Sequence, residues 1–101
     1  MLVIKLKQQE EATVYLENHR LAIVKIGNIN SKFKSGMLLM RTGEETEKYK
    51  IEPGDRVFKQ LTPDYFICFS IFRITPSGVS LGVTSSEEVK IYRNSLLKAK
   101  G

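Results

Sequence analysis

The sequence predicts an all-β protein, a small antiparallel barrel or sandwich of short strands with a short C-terminal helix. Three observations carry that expectation. Apolar and polar residues alternate with a strand's period of two through most of the chain. Turn chemistry such as Pro53-Gly54-Asp55 and Thr75-Pro76-Ser77-Gly78 recurs at intervals of about 8–12 residues. Valine, isoleucine, threonine and aromatic residues fill the segments between the turns, where a pleated, half-buried surface suits them.

Residues 1–7 alternate Leu2, Ile4 and Leu6 against Val3, Lys5 and Lys7, a half-buried strand with lysines on one face. A polar turn over 8–11 leads to a strand over 12–16, and 17–19 turn again. Residues 21–26 form a strand that is apolar except for Lys25, and 28–36 form a loop rich in Asn, Ser, Lys and Gly. An apolar strand over 37–41, a turn over 42–46 and a short alternating piece over 48–51 end at Pro53-Gly54-Asp55. Strands over 57–61 and 65–74 follow, separated by Thr62-Pro63-Asp64. The second is apolar at both alternating positions and is expected to be covered on both sides. The turn at 75–78 makes a hairpin with 79–84, residues 85–87 turn, and 89–93 form the last strand. Asn94 or Ser95 caps a helical turn over 96–100, which needs packing to hold.

At 101 residues the chain is expected to be one domain with one core. Residues 21–51 and 66–92 read alike: a strand, a turn ending in Gly36 or Gly78, a strand, a Glu-rich turn and an alternating end. The chain is therefore either a plain meander or an internal duplication of 1–52 and 53–101. No apolar stretch approaches the length of a membrane span and no signal peptide opens the chain, which points to a soluble, cytoplasmic protein with no membrane partner. The single cysteine, Cys68, rules out an intrachain disulfide and reads as a small buried hydrophobe.

Sixteen Lys and Arg against eleven Asp and Glu give a net charge of +5. Two basic segments, 1–43 and 56–101, flank an acidic one at 44–55. Such an excess suits a polyanionic partner and equally serves solubility. Enzyme signatures are scarce. His19 stands without a cysteine partner in a turn, Glu44, Glu45 and Glu47 read as a solvated charge run, and no phosphate loop, nucleophile elbow or zinc spacing occurs. No enzymatic activity is expected. Single-stranded RNA binding needs cations for phosphates, aromatic or guanidinium planes for bases, and a strand to read base edges. Tyr92 and Arg93 at a strand end, Lys90 in phase with Tyr92, and Lys5 and Lys7 on the first strand supply those parts. Tyr92 can equally pack over Leu96, and Arg93 can pair with Glu87 or Glu88.

The C-terminal stretch S-G-V-S-L-G-V at 77–83, T-S-S-E-E-V at 84–89, K-I-Y-R at 90–93 and N-S-L-L-K at 94–98 resembles the carbon storage regulator (CsrA/RsmA) family of bacterial translational regulators. The opening M-L-V-I-K-L-K is similar to the family's first strand. It is expected to pair with E-E-A-T-V-Y-L, which resembles the second. The resemblance implies a small β fold that dimerises by interleaving strands, the first strand lying beside the last, with each such edge binding a GGA-containing RNA hairpin loop and no cofactor. It places the family's closing arginine on Arg93, the aromatic or histidine before it on Tyr92 and the aliphatic before that on Ile91. Ile4 falls on the leucine position of the first strand, Leu6 and Lys7 on its basic positions, with Lys5 and Lys90 beside them. The chain departs from the family at Leu6, at Gln9 where glycine is usual, and in the long segment between the two matching ends. Those residues are either an insertion or the second half of a fused pseudo-dimer. The partners implied are hairpin-loop RNA and either a second copy or an intrachain equivalent of one. The rival expectation is a protein-interaction or structural β module.

Overall fold

Each alternating segment forms a strand in the computed structural model, which describes residues 1–30 and 32–94. The strands are β1 (Leu2–Leu6), β2 (Glu11–Leu16), β3 (His19–Asn30), β4 (Ser35–Thr42), β5 (Glu45–Ile51), β6 (Arg56–Thr62), β7 (Tyr65–Thr75), β8 (Gly78–Ser85) and β9 (Val89–Arg93). They make two antiparallel sheets, ordered β1-β8-β7-β6 and β5-β4-β3-β2-β9. The expected all-β fold is therefore present. The helical turn expected over 96–100 lies outside the described residues. Among the described residues no helix is long and apolar enough to cross a membrane.

Two meanders, β2 to β5 and β6 to β8, each gain one strand from the far end of the chain. β9 joins the first, with Val14 opposite Ile91, and β1 joins the second, with Ile4 opposite Leu81. The first strand therefore does not pair with the second, as the sequence suggested, but with the strand before the last. Alternation tells a strand which face to bury and leaves its neighbour open, whereas Leu6 and Val79, both fully buried, satisfy the core only when β1 lies on β8. Segments 21–51 and 66–92 differ at their last strands: β5 stays on β4, whereas β9 leaves β8 for β2.

Side chains from both sheets fill one core, with Val24, Ile26, Leu38 and Met40 facing Ile67, Phe69, Ile71 and Leu81. All of these are at most 1% exposed. Burial of each such side chain contributes about 1.5–3 kcal/mol before the entropy of ordering is subtracted.

The sheets approach each other again where β5 meets β6. Lys59 forms an ion pair with Glu47 there, and the Tyr49 hydroxyl donates to the same carboxylate at 2.7 Å. Hydrogen bonding to Lys59 and Tyr49 lowers the Glu47 pKa, and the bond to Glu47, with partial burial, pushes the Tyr49 phenol up to about 12.

Two expectations need correction. The 28–36 loop is mostly strand, because Asn28 (φ 52°) and Lys34 (φ 49°) adopt positive φ and let β3 and β4 pair again beyond a register shift at Gly27/Asn30. β7 is covered on one side only. Its outward residues Phe66, Cys68 and Ser70 are half-buried and Phe72 is 49% exposed, so Cys68 is not a core residue. Among the described residues no second layer shields them; Phe66 stacks on Phe58 instead, with ring centroids 5.6 Å apart.

Candidate functional site

A turn sends the chain from one sheet to the other. β8 ends at Ser85, and Ser86 is fixed to the start of β7: its N–H donates to the Phe66 carbonyl at 3.2 Å and its hydroxyl accepts from the Phe66 N–H at 3.0 Å. The Val89 N–H then donates to the Ser86 carbonyl at 3.0 Å, and β9 departs toward β2. Asn94 anchors its far end, accepting from the Thr13 hydroxyl at 2.7 Å and donating to Glu11 at 3.5 Å.

The first and last strands consequently border the same seam. Both begin next to the end of β8, since Leu2 is opposite Val83 and Val89 follows the turn out of Ser85. Both finish next to the start of β2, since Arg93 is opposite Ala12 and β1 runs through the Gln8–Gln9 turn into Glu11. The two strands run in the same direction. Each is the terminal strand of its sheet, so each turns one row of backbone N–H and C=O groups toward the seam. A cavity of about 440 Å³ opens where both strands begin, lined by Met1 and Leu2 on one side and by residues 83–87 and 89–92 on the other.

The seven residues singled out by sequence divide by phase. Ile4 is half-buried in phase with Leu6, and Ile91 is 7% exposed, so both serve mainly the core. Lys5, Lys7 and Lys90 are exposed and Tyr92 is 42% exposed. Arg93 is half-buried, in phase with Val89 and Ile91, at the mouth of the interior, and makes no ion pair among the described residues. It is thus not tied to Glu87 or Glu88. The Lys5 ammonium donates to the Ser77 hydroxyl at 2.8 Å, while the Lys7 N–H donates to Glu10 at 3.0 Å and closes the first turn. Gln9, where the resembled family has glycine, holds a φ of 70°, the conformation glycine adopts without strain. Lys90, Ile91 and Tyr92 belong to the β9 side of the seam, Ile4 and Lys5 to β1, and Lys7 and Arg93 to the end where both strands finish.

Sequence reading missed Tyr15. Its ring lies 6.1 Å from that of Tyr92, tilted by 55°, because β2 and β9 pair with Thr13 opposite Tyr92. Alternation from Thr13 to Tyr15 in the second strand marks it as outward-facing, but only the long-range pairing places it beside Tyr92. The cations Arg20, Arg41 and Lys48 were also overlooked, being scattered through three strands in sequence. Compared with known proteins, the chain matches no family model, no curated protein and no solved structure.

Proposed function

We propose that the chain is an RNA-binding translational regulator that holds a single-stranded, GGA-bearing hairpin loop along the seam between β1 and β9. The observation that carries this reading is the pair of codirectional strand edges flanking an open cavity, with Lys90 and Tyr92 exposed at its β9 side. Exposed backbone groups suit base edges, Tyr92 offers a stacking plane, and Lys5, Lys7, Lys90 and Arg93 offer phosphate or base contacts. Within one chain β1 and β9 border the same seam, the arrangement an intrachain pseudo-dimer site needs. Such a regulator acts in the cytoplasm, by blocking or promoting ribosome access.

A protein-interaction module is favoured by a different observation, the exposed apolar side chains Met1, Val3, Phe58 and Phe72 on the four-stranded sheet. A gel shift at moderate salt separates the two. Retardation of a GGA hairpin, competed by the same hairpin and not by one with a permuted loop, is the expected result. Absence of any retarded band overturns the RNA reading and leaves the interaction module.

A further inference from the structure

The strand pairing collects cations that are far apart in sequence onto the outer face of the five-stranded sheet. Across that face one row runs Tyr92, Thr13, Ile23, Arg41, Thr46, and the next runs Glu11, Lys25, Leu39, Lys48. Their chain neighbours Val14, Val24, Met40 and Ile91 are buried on the opposite side. Arg20 lies beyond the first row, opposite Tyr15. Arg20, Arg41 and Lys48 are exposed and none makes an ion pair among the described residues. The acid in these rows, Glu11, is engaged by Asn94.

The face is also concave. A hollow of about 520 Å³ lies between Arg20, Ile23 and Arg41, with Glu44 at its edge, and a smaller one of about 170 Å³ continues past Ile23 and Arg41 to Lys25, Leu39 and Glu11. Ile23 and Arg41 line both, so the two form one trough. The Tyr15–Tyr92 ring pair lies on the same face beyond the trough, toward β9, and Tyr92 also lines the seam cavity.

We infer that this face is a second RNA-contacting surface, on which single-stranded RNA leaving the seam crosses Tyr92 and Tyr15 and then runs toward Arg41 and Lys48. The inference rests on the seam being an RNA site. Unpaired cations interspersed with apolar side chains suit a polymer whose phosphates and bases alternate along one strand. A duplex, its bases already stacked inward, has no use for the tyrosine pair or for Ile23 and Leu39. Five strands about 4.8 Å apart give a path of about 19 Å, room for roughly four nucleotides. Arg41 and Lys48 belong to the segment 17–76 that separates the two family-like ends, so these residues would extend the RNA footprint beyond a hairpin loop.

The test compares a minimal GGA hairpin with the same hairpin carrying a tail of about eight uridines, using wild type and the triple variant Arg20→Ala/Arg41→Ala/Lys48→Ala. The tail is expected to tighten wild-type binding about tenfold, and the triple variant to lose that gain while binding the minimal hairpin within about twofold of wild type. Its log–log salt slope on the tailed RNA should be shallower by about 2, since each phosphate contact with a single strand contributes about 0.7. All three side chains are exposed, so an unchanged melting temperature is expected and separates lost contacts from lost structure. A tail that adds nothing to wild type, or a gain that survives in the triple variant, overturns the inference and leaves the seam reading intact. Equal displacement of the tailed RNA by poly-glutamate at matched charge also overturns it, marking a generic polyanion surface. If oligouridine is bound through the three cations while the hairpin loop is not recognised, the face stands and the seam reading fails; if neither RNA binds, both fail.

Discussion

Arg93→Ala is expected to weaken binding of a GGA hairpin roughly ten- to a hundredfold while the fold stays intact. Arg93 is half-buried on the same strand face as Val89 and Ile91, which restricts its stem, and no carboxylate among the described residues neutralises the guanidinium. Removing a charged hydrogen-bonding group from a binding site costs about 1.5–3 kcal/mol, which gives that factor. Arg93→Lys keeps the charge and loses the planar fork, so it should fall between wild type and alanine. Fluorescence anisotropy with the labelled hairpin reads the affinity, and a melting curve checks the fold. An alanine variant that binds as wild type does would remove Arg93 from the site.

Gly78→Ala is expected to be the most damaging single methyl group in this protein, lowering stability by about 3 kcal/mol. Gly78 holds a φ of 152°, and a Cβ there would lie 2.5 Å from the Leu6 carbonyl oxygen and 3.1 Å from the Lys7 Cα. Both are backbone atoms, so relief requires β1 to move away from β8. Among the described residues β1 is hydrogen-bonded to no strand but β8, and the move would expose Leu6 and strip one wall from the seam. In a domain of this size the melting temperature should drop by about 15 °C. Gly82→Ala is the control. Its Cβ would meet Phe72 Cζ at 2.6 Å and Met1 Sδ at 2.7 Å, equally close, but these are the tips of exposed side chains that can swing aside. That change should cost under about 1 kcal/mol. Equal losses from the two variants, measured by urea denaturation, would contradict the difference drawn between backbone and side-chain crowding.

Strand positions and faces were legible in the sequence because burial on one side imposes alternation, as in Ile4 and Leu6 or Val89 and Ile91. Partners were not. Nothing local in residues 1–7 distinguishes β2 from β8 as a neighbour, and that choice is made by the packing of Leu6 and Val79 in a shared core. The continuous apolar run in β7 misled for a related reason: outward Phe66 finds cover against Phe58, so apolar residues on both faces did not require a second layer. The loop expected before Gly36 shrank to a turn at 32–34 between longer strands, with Asn28 and Lys34 at positive φ, which nothing in the local sequence announces.

The candidate site was legible where it is local. Lys90 and Tyr92 were readable as outward-facing from the alternation of β9 alone, and both are exposed. Tyr15 and Arg41 entered only through register, since each stands beside its functional neighbours by virtue of pairing between distant strands. The resemblance to carbon storage regulators placed the first and last strands side by side. In this chain they belong to different sheets, and a cavity lies where both begin.

The most direct test of the seam as an RNA site is a titration of isotopically labelled protein with a GGA hairpin, read at the backbone amides. Saturable shift changes concentrated in Leu2–Leu6 and Val89–Arg93, absent with the permuted loop, are the expected result. No saturable change, or changes confined to the Phe58 and Phe72 face of the other sheet, would contradict it.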